Sequence, residues 1–140
     1  MKKSSAVIFV LFLILALVSC APSTGMVMDS AESQVKLRNI QSRAFDTSDK
    51  EKTLRTVIAT LQDLGFIIDK ADLDLGMVSG TKLNFYAMRM TVSVRPRGDA
   101  QMIVRANAQY QLKAVEDPEP YQAFFNSLSK AMFLAAQNVD

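Results

Sequence analysis

The sequence predicts an α+β fold: a two-layer sandwich in which an antiparallel sheet carries two helices on one face, in the order β-α-β-β-β-β-α. Two observations indicate this. Two stretches of the chain have apolar residues at helical spacing, and residues 86–110 alternate between apolar and polar side chains around a central turn. Each helix and the hairpin has one apolar face, and packing these faces together buries all of them.

The first strand and the first helix are predicted over residues 37–64. Residues 37–45 form the strand. Ser48 and Glu51 match a capping box, with Ser48 as the N-cap of the helix. Five apolar residues at helical spacing form its buried face: Leu54, Val57, Ile58, Leu61 and Leu64. Gly65 can take the left-handed conformation that ends such a helix.

Four strands are predicted after this helix, and they lie at residues 66–68, 77–83, 86–95 and 101–110. Residues 69–74 are predicted to form a polar turn, and residues 96–99 the turn of a long hairpin. Alternation gives that hairpin one apolar and one polar face.

A closing helix is predicted from Asp117 as N-cap and Pro118 at the first helical position, where a missing N–H has no cost. Its buried stripe consists of Tyr121, Phe124, Phe125, Leu128, Met132 and Ala135. Phe133 and Leu134 lie beside that stripe. Two roles remain open for them: widening the contact with the core, or contacting a partner.

The N-terminus has the pattern of an export signal. Lys2 and Lys3 precede thirteen uninterrupted apolar residues at 6–18. A membrane-spanning helix needs roughly 20 such residues, so this run is typical of a signal peptide. It ends in Leu17-Val18-Ser19-Cys20, which resembles a bacterial lipobox.

The lipobox resemblance implies that the signal peptide, residues 1–19, is removed, that Cys20 is lipidated on its sulfur, and that its new amino group is acylated, with palmitate as an expected acyl chain. Two or three acyl chains, at about 0.8 kcal/mol per buried methylene, anchor a protein stably. Ala21 in place of Asp implies export to the outer membrane of a Gram-negative bacterium, facing the periplasm. The alternative is an ordinary signal peptide in which Cys20 is coincidental.

The predicted organisation is therefore a signal peptide (1–19), a lipidated Cys20 with a flexible tether (20–36), and a single periplasmic domain (37–140). The chain has 16 basic and 14 acidic residues, and processing removes two of the basic ones. A mature chain of zero net charge argues against a nucleic-acid partner.

Several classes of chemistry are excluded by composition. The chain has no His, which excludes Ser-His-Asp triads, Cys-His pairs and His-ligated zinc. One Cys excludes an intrachain disulfide. The five Gly are dispersed and form no phosphate-binding loop. We therefore predict a protein that is not an enzyme and that has no cofactor and no metal.

The domain resembles the helix-grip domains of the BamC lipoproteins, which are subunits of the outer-membrane β-barrel assembly machinery. The residues that carry the resemblance are Phe45-Asp46-Thr47, the helix at 54–64, Gly65-Phe66-Ile67-Ile68-Asp69 and Leu75-Gly76. It covers about residues 40–138. BamC has two such domains and a long partner-binding segment, whereas this chain has room for one domain and a short tether. The resemblance thus implies the fold and the envelope context.

The polar face of the hairpin is the main candidate binding surface. Arg89, Arg95 and Arg105 lie on it, with Arg97 at its turn. Such a face suits an acidic protein surface, a lipid headgroup or peptidoglycan. The alternative is a hydrated face whose charges prevent aggregation.

Two further groups of residues each allow two interpretations. Asp69, Asp72 and Asp74 resemble half of a calcium loop. Such a loop needs a Glu ligand at its twelfth position, which is Leu83 when counted from Asp72, and this favours a solvated turn. Five methionines either line an adaptable apolar pocket or fill the core: Met77, Met88, Met90, Met102 and Met132.

These observations predict a non-enzymatic, lipid-anchored protein-interaction or scaffold module of a cell-envelope complex, an accessory of assembly, transport or secretion. The membrane, through Cys20, and envelope proteins are its predicted partners. The arginine face, the edge strand at 37–45 and Phe133 on the closing helix are its predicted contact surfaces. The alternative is a binding protein or sensor for an apolar or lipid ligand held between sheet and helices.

Overall fold

The computed structural model describes residues 33–84 and 86–137. The chain divides into two units, Met1–Gln34 and Val35–Asp140. Of the first unit, residues 33 and 34 are described, and both are helical. The predicted signal peptide, Cys20 and residues 21–32 of the predicted tether lie outside the described residues. The second unit contains the sheet and the helices that pack on it.

The described elements follow one another in an α+β order that confirms the predicted class. Helix α1 ends at residue 40. The elements after it are β1 (Ser42–Phe45), α2 (Lys50–Asp63), β2 (Ile67–Asp72), β3 (Met77–Asn84), β4 (Tyr86–Arg97), β5 (Gln101–Tyr110), β6 (Lys113–Ala114) and α3 (Pro118–Gln137). Compared with the predicted order, α1 and the two-residue strand β6 are additional.

The strands form one antiparallel sheet in the order β1-β5-β4-β3-β2. The long hairpin is its centre, where β4 pairs with β5 from Met88 opposite Tyr110 to Arg97 opposite Gln101. The other side of β5 is shared by two short strands. β1 pairs with the first half of β5, and β6 pairs with its last two residues.

The core lies between the sheet and helices α2 and α3. Alternate residues of the central strands point into it and are buried: Val78, Met90, Val92, Val94, Met102, Val104, Ala106 and Ala108. The helices contribute Leu54, Val57, Leu61, Tyr121, Phe124, Phe125 and Leu128. Burial of each large apolar side chain contributes about 1.5–3 kcal/mol. This packing therefore fixes one face of the sheet inward and leaves the other outward.

Helix α2 begins one residue later than predicted. Its N-cap is Asp49, whose Oδ1 accepts a 2.8 Å hydrogen bond from the backbone N–H of Lys52. The predicted capping box with Ser48 is wrong, because Glu51 instead pairs with Arg55 on the next turn. The C-terminus is as predicted: Gly65 has φ 84°, and the N–H of Phe66 donates to the Leu61 carbonyl at 2.9 Å.

Helix α3 begins at Pro118 as predicted, and Asp117 Oδ1 accepts a 3.0 Å hydrogen bond from the N–H of Glu119. The predicted stripe is buried at its four aromatic and leucine positions, and Met132 is partly buried. Phe133 and Leu134 are 65% and 61% exposed. Of the two roles left open for them, widening the core contact is contradicted by this exposure.

Four predicted boundaries also differ. The strand predicted over residues 37–45 begins at Ser42, because Leu37 and Ile40 lie one helical turn apart in α1 and pack against the core. Residues 33–36, predicted as tether, are helical as well. Strand β2 extends through the predicted polar turn to Asp72, with a register shift between Ile68 and Lys70 that leaves one residue bulged. Strand β4 extends to Arg97, so the hairpin turn lies at 98–100.

Candidate functional site

The outward face of the sheet is the candidate binding face. The residues that alternate with the buried ones on β4 and β5 form it, and the register places Thr91 opposite Asn107 and Ser93 opposite Arg105. Strand β3 extends the face, because Met77 lies opposite Ser93. Among the described elements, the helices pack on the other side, and none covers this face.

A groove of about 400 Å³ lies at the centre of this face. Strands β3, β4 and β5 supply its lining, which consists of Met77, Thr91, Ser93, Arg95, Ile103, Arg105 and Asn107. The lining contains two arginines and no carboxylate. Met77 and Ile103 give it apolar surface, and the remaining residues give it hydroxyl and amide groups. We refer to this set of residues as the arginine groove.

The two arginines of the groove are diagonal neighbours on adjacent strands. Arg95 lies opposite Ile103, and Arg105 lies opposite Ser93, an arrangement that separates diagonal residues by about 7–8 Å. Both are exposed. Among the described residues, Arg95 has no hydrogen bond or ion pair, and Arg105 donates from Nε to Ser42 Oγ at 3.2 Å. Two neighbouring positive charges thus lack a compensating carboxylate in this part of the chain.

Arg89 lies on the same face but in a different environment. Its Nε is 3.6 Å from Asp69 Oδ2, which also accepts a 2.7 Å hydrogen bond from the hydroxyl of Thr81. A pair this exposed contributes about 0–1 kcal/mol, yet it neutralises the charge of Arg89 locally. Arg89 lines two smaller grooves, of about 260 and 310 Å³, beside the arginine groove.

The two other predicted contact residues lie elsewhere. Arg97 belongs to β4 rather than to the turn and lies opposite Gln101, at the end of the hairpin. Phe133 lies on α3 and lines a separate groove of about 480 Å³ with Arg43, Phe45 and Met132 among others. The structure therefore brings Arg95 and Arg105 together and does not bring Phe133 to them.

The three aspartates of the 69–74 segment have separate contacts. Asp69 binds Thr81 and pairs with Arg89, whereas Asp72 Oδ1 accepts a 2.8 Å hydrogen bond from the N–H of Leu75. Lys50 Nζ donates to the backbone carbonyl of Asp74 at 2.7 Å. Within residues 33–84 and 86–137, no group of three or more Cys, Asp or Glu is arranged to hold a metal ion.

The five methionines do not form one pocket. Met90 and Met102 are buried in the core, Met88 and Met132 lie partly buried at its margin, and Met77 is 38% exposed on the opposite face. The apolar core residues that the structure describes are at most 5% exposed. A ligand between sheet and helices therefore requires this core to open.

Sequence reasoning identified the arginines but left Ser93 and Ile103 out of the candidate site. Period-two alternation was the signal for both, since each lies two residues from a groove arginine on its own strand. The pairing of Asp69 with Arg89 had no such local signal. It depends on the bulge in β2, which arises from pairing with β3.

Within the described residues, no helix combines the length and the apolar character that crossing a membrane requires. No protein-family model matches the chain, and no curated protein matches it either.

Proposed function

We propose that this chain is a non-enzymatic lipoprotein, anchored through Cys20 to the periplasmic side of the outer membrane, whose domain binds an acidic segment of an envelope protein partner. The anchor half of the proposal is supported by the lipobox at residues 17–20 and by the length of the preceding apolar run. A scaffold of the BamC-like kind is consistent with the α+β order of the domain.

The observation that carries the binding half is the pair Arg95 and Arg105. Like charges at diagonal positions of a sheet repel each other, and no described carboxylate compensates them. An acidic partner removes this repulsion. A guanidinium group binds a carboxylate through two parallel hydrogen bonds, which adds geometric selectivity to the attraction.

The apolar part of the groove indicates what else the partner segment carries. Met77 and Ile103 lie beside the two arginines, and both offer side-chain surface to a partner. A segment in which carboxylates alternate with apolar residues matches this lining. Extended peptides present such alternation naturally, because successive side chains point in opposite directions.

With the lipid anchor, a groove of low affinity is sufficient to bind a partner. A lipid on Cys20 confines the domain to a thin layer beside the membrane, where its effective concentration toward other membrane-bound proteins is high. The groove then needs only modest affinity to hold a partner in the same layer. This is the mechanism we propose: tethering by lipid and selection by charge.

The alternative, a carrier or sensor of an apolar ligand, has less support. Its ligand would lie between sheet and helices, where the described core side chains are at most 5% exposed. The open side of the sheet, by contrast, has a groove of about 400 Å³ that exists without any rearrangement.

The experiment is site-specific photo-crosslinking in living cells. A photoreactive phenylalanine analogue replaces Asn107, an exposed residue of the arginine groove, in the full chain. We expect a discrete crosslinked protein, lost by about tenfold or more when Arg95→Ser and Arg105→Ser are combined. The Arg95→Lys, Arg105→Lys pair retains the charge but loses bidentate geometry, and we expect an intermediate yield.

The matched control combines Arg38→Ser with Arg55→Ser, which removes two exposed arginines from helices on the other layer. It should leave the crosslink unchanged. An unchanged crosslink in the Arg95, Arg105 double variant refutes the arginine groove as the binding site. The anchor is tested separately: wild type should incorporate labelled palmitate and Cys20→Ala should not, and an unlabelled wild type refutes the anchor alone.

A further inference from the structure

Four exposed apolar side chains lie at one end of the sheet. Leu83, Tyr86 and Leu112 are 75%, 72% and 97% exposed, and Tyr110 is 42% exposed. We refer to these four residues as the apolar tip. Single exposed apolar residues are ordinary, whereas several of them at one end of a sheet indicate a region that contacts another molecule or a membrane.

The register of the sheet brings the four residues to the same end, with Leu83 on the outward face and Tyr86 and Tyr110 on the face that carries the helices. Leu83 and Tyr86 belong to the hairpin between β3 and β4, where Leu83 lies opposite Ala87. Tyr110 lies opposite Met88, just one residue from that pair. Leu112 follows in the two-residue turn that joins β5 to β6.

The turn that carries Leu112 has an unfavourable backbone conformation. Gln111 has φ 54°, the positive-φ position among the described non-glycine residues. A non-glycine residue in this left-handed region costs about 1–2 kcal/mol. Despite that cost, the turn presents an almost fully exposed leucine, which has no contact in the core to stabilise it there.

The charged residues in the segments that carry the apolar tip are basic. Lys82, Arg89 and Lys113 lie in the two segments at residues 80–89 and 108–114, and neither segment contains Asp or Glu. Asp69, on the neighbouring strand, pairs with Arg89. Lysine and arginine side chains extend along apolar surface and place their charges at the level of lipid phosphates, and tyrosine is enriched at the same level.

The opposite end of the sheet has a different composition. Leu75 is 65% exposed in the turn between β2 and β3, so it is comparable in exposure to the apolar tip. It is flanked by Asp72 and Asp74, and Asp99 lies in the other turn at that end. Arg97 and Lys50 also lie at this end, but its carboxylates are repelled by an anionic membrane surface, and this distinguishes it from the apolar tip.

The direction of β1 shows from which side the chain enters the sheet. β1 begins with Ser42 opposite Arg105 and ends with Phe45 opposite Met102. The chain therefore enters the sheet from the side on which β5 ends, which is the side of the apolar tip. In the sequence, Cys20 lies 22 positions before Ser42, the first residue of β1.

We infer that the apolar tip lies in the interfacial region of the bilayer, with Leu83 and Leu112 among the upper acyl chains and the lysines at the phosphates of anionic phospholipids. This inference deepens the proposed function, because its orientation rests on the anchor at Cys20. The long axis of the sheet then stands away from the membrane, and the arginine groove remains open to partners.

The chain has no tryptophan, so one introduced tryptophan reports its own surroundings. The test uses the full processed chain, reconstituted in phosphatidylethanolamine and phosphatidylglycerol vesicles with brominated acyl chains. The fluorescence emission of Leu112→Trp should be blue-shifted, and the bromine atoms should quench it about twofold or more. Leu75→Trp is the control at the opposite end. Its emission should be neither blue-shifted nor quenched by bromine, and it should remain accessible to acrylamide.

The outcomes separate this inference from the anchor. A Leu112→Trp chain that floats with the vesicles but remains accessible to acrylamide overturns the inference and leaves the anchor standing. A blue shift without quenching by bromine also overturns it, and indicates that protein covers the apolar tip. Quenching in a chain that carries no palmitate supports the inference and refutes the anchor. Equal quenching of Leu112→Trp and Leu75→Trp overturns the proposed orientation.

Discussion

The hydroxyl of Tyr121 accepts a 3.1 Å hydrogen bond from the backbone N–H of Ala108. Ala108 lies on β5 between the residues that pair with β1 and those that pair with β6. The same hydroxyl donates to the carbonyl of Val115 at 2.8 Å and accepts from Gln41 Nε2 at 3.2 Å. A side chain of helix α3 thus completes the edge of the sheet where two short strands leave a gap.

Replacing Tyr121 with Phe tests this arrangement. The ring keeps its place in the core, but the N–H of Ala108 and the carbonyl of Val115 lose a buried partner. An unsatisfied buried polar group costs about 1–3 kcal/mol, so we expect the free energy of unfolding to fall by about that amount. Urea denaturation monitored by circular dichroism measures it. An unchanged dependence of the free energy of unfolding on urea concentration would show that the native and unfolded states of the two proteins are comparable.

Tyr110→Phe is the matched control, because Tyr110 is 42% exposed and makes no hydrogen bond through its hydroxyl to the described residues. It should change stability by less than about 0.5 kcal/mol. Equal effects of the two substitutions would show that the hydroxyl of Tyr121 has no special part in completing the edge.

Gly76 provides a second test of the packing, at the end of the sheet where β2 turns into β3. Its φ is 68°, and an added Cβ would lie 2.5 Å from the carbonyl oxygen of Val94 and 2.8 Å from Lys50 Cε. The lysine can move away, but the Val94 oxygen belongs to the backbone of a central strand. We expect Gly76→Ala to lower the free energy of unfolding by about 2–4 kcal/mol.

Gly98→Ala separates the two causes of that loss. Gly98 has a similar φ of 64°, yet nothing lies within 4 Å of the position that an added Cβ would take. The substitution should cost only the left-handed strain of about 1–2 kcal/mol. The difference between the two variants, measured by the same denaturation curves, isolates the steric contact with Val94, and no difference would contradict it.

The features that were predictable from the sequence are those with local patterns. The alternation of residues 86–110 fixed which side chains of the hairpin face inward, and it placed Arg95 and Arg105 on the same outward face. Helix α3 was predictable from Asp117 and Pro118, and the end of α2 from Gly65, because caps depend on neighbouring residues only.

The remaining features depend on contacts between distant residues. Helix α1 is stabilised by packing of Leu37 and Ile40 on the core, and its short apolar pattern is equally compatible with a strand. The bulge at Asp69 follows from the register with β3, and the ion pair between Asp69 and Arg89 depends on that register. Exposure of Phe133 likewise depends on how α3 is rotated against the sheet.

The N-cap of α2 is one residue away from the position that the local pattern predicted, and it gives the third prediction. Ser48 and Asp49 are adjacent residues that both suit an N-cap, and the hydrogen bond from Lys52 N–H to Asp49 Oδ1 distinguishes them. Asp49→Ala should therefore lower the free energy of unfolding by about 0.5–2 kcal/mol. Ser48→Ala, the matched control, should change it by less than about 0.5 kcal/mol. Urea denaturation of both variants measures this. A larger loss of stability from Ser48→Ala would show that Ser48, in a capping box with Glu51, is the N-cap.

Asp49→Asn separates capping from the charge of the carboxylate. It should retain most of the stability, because the side-chain oxygen of asparagine can accept the same hydrogen bond.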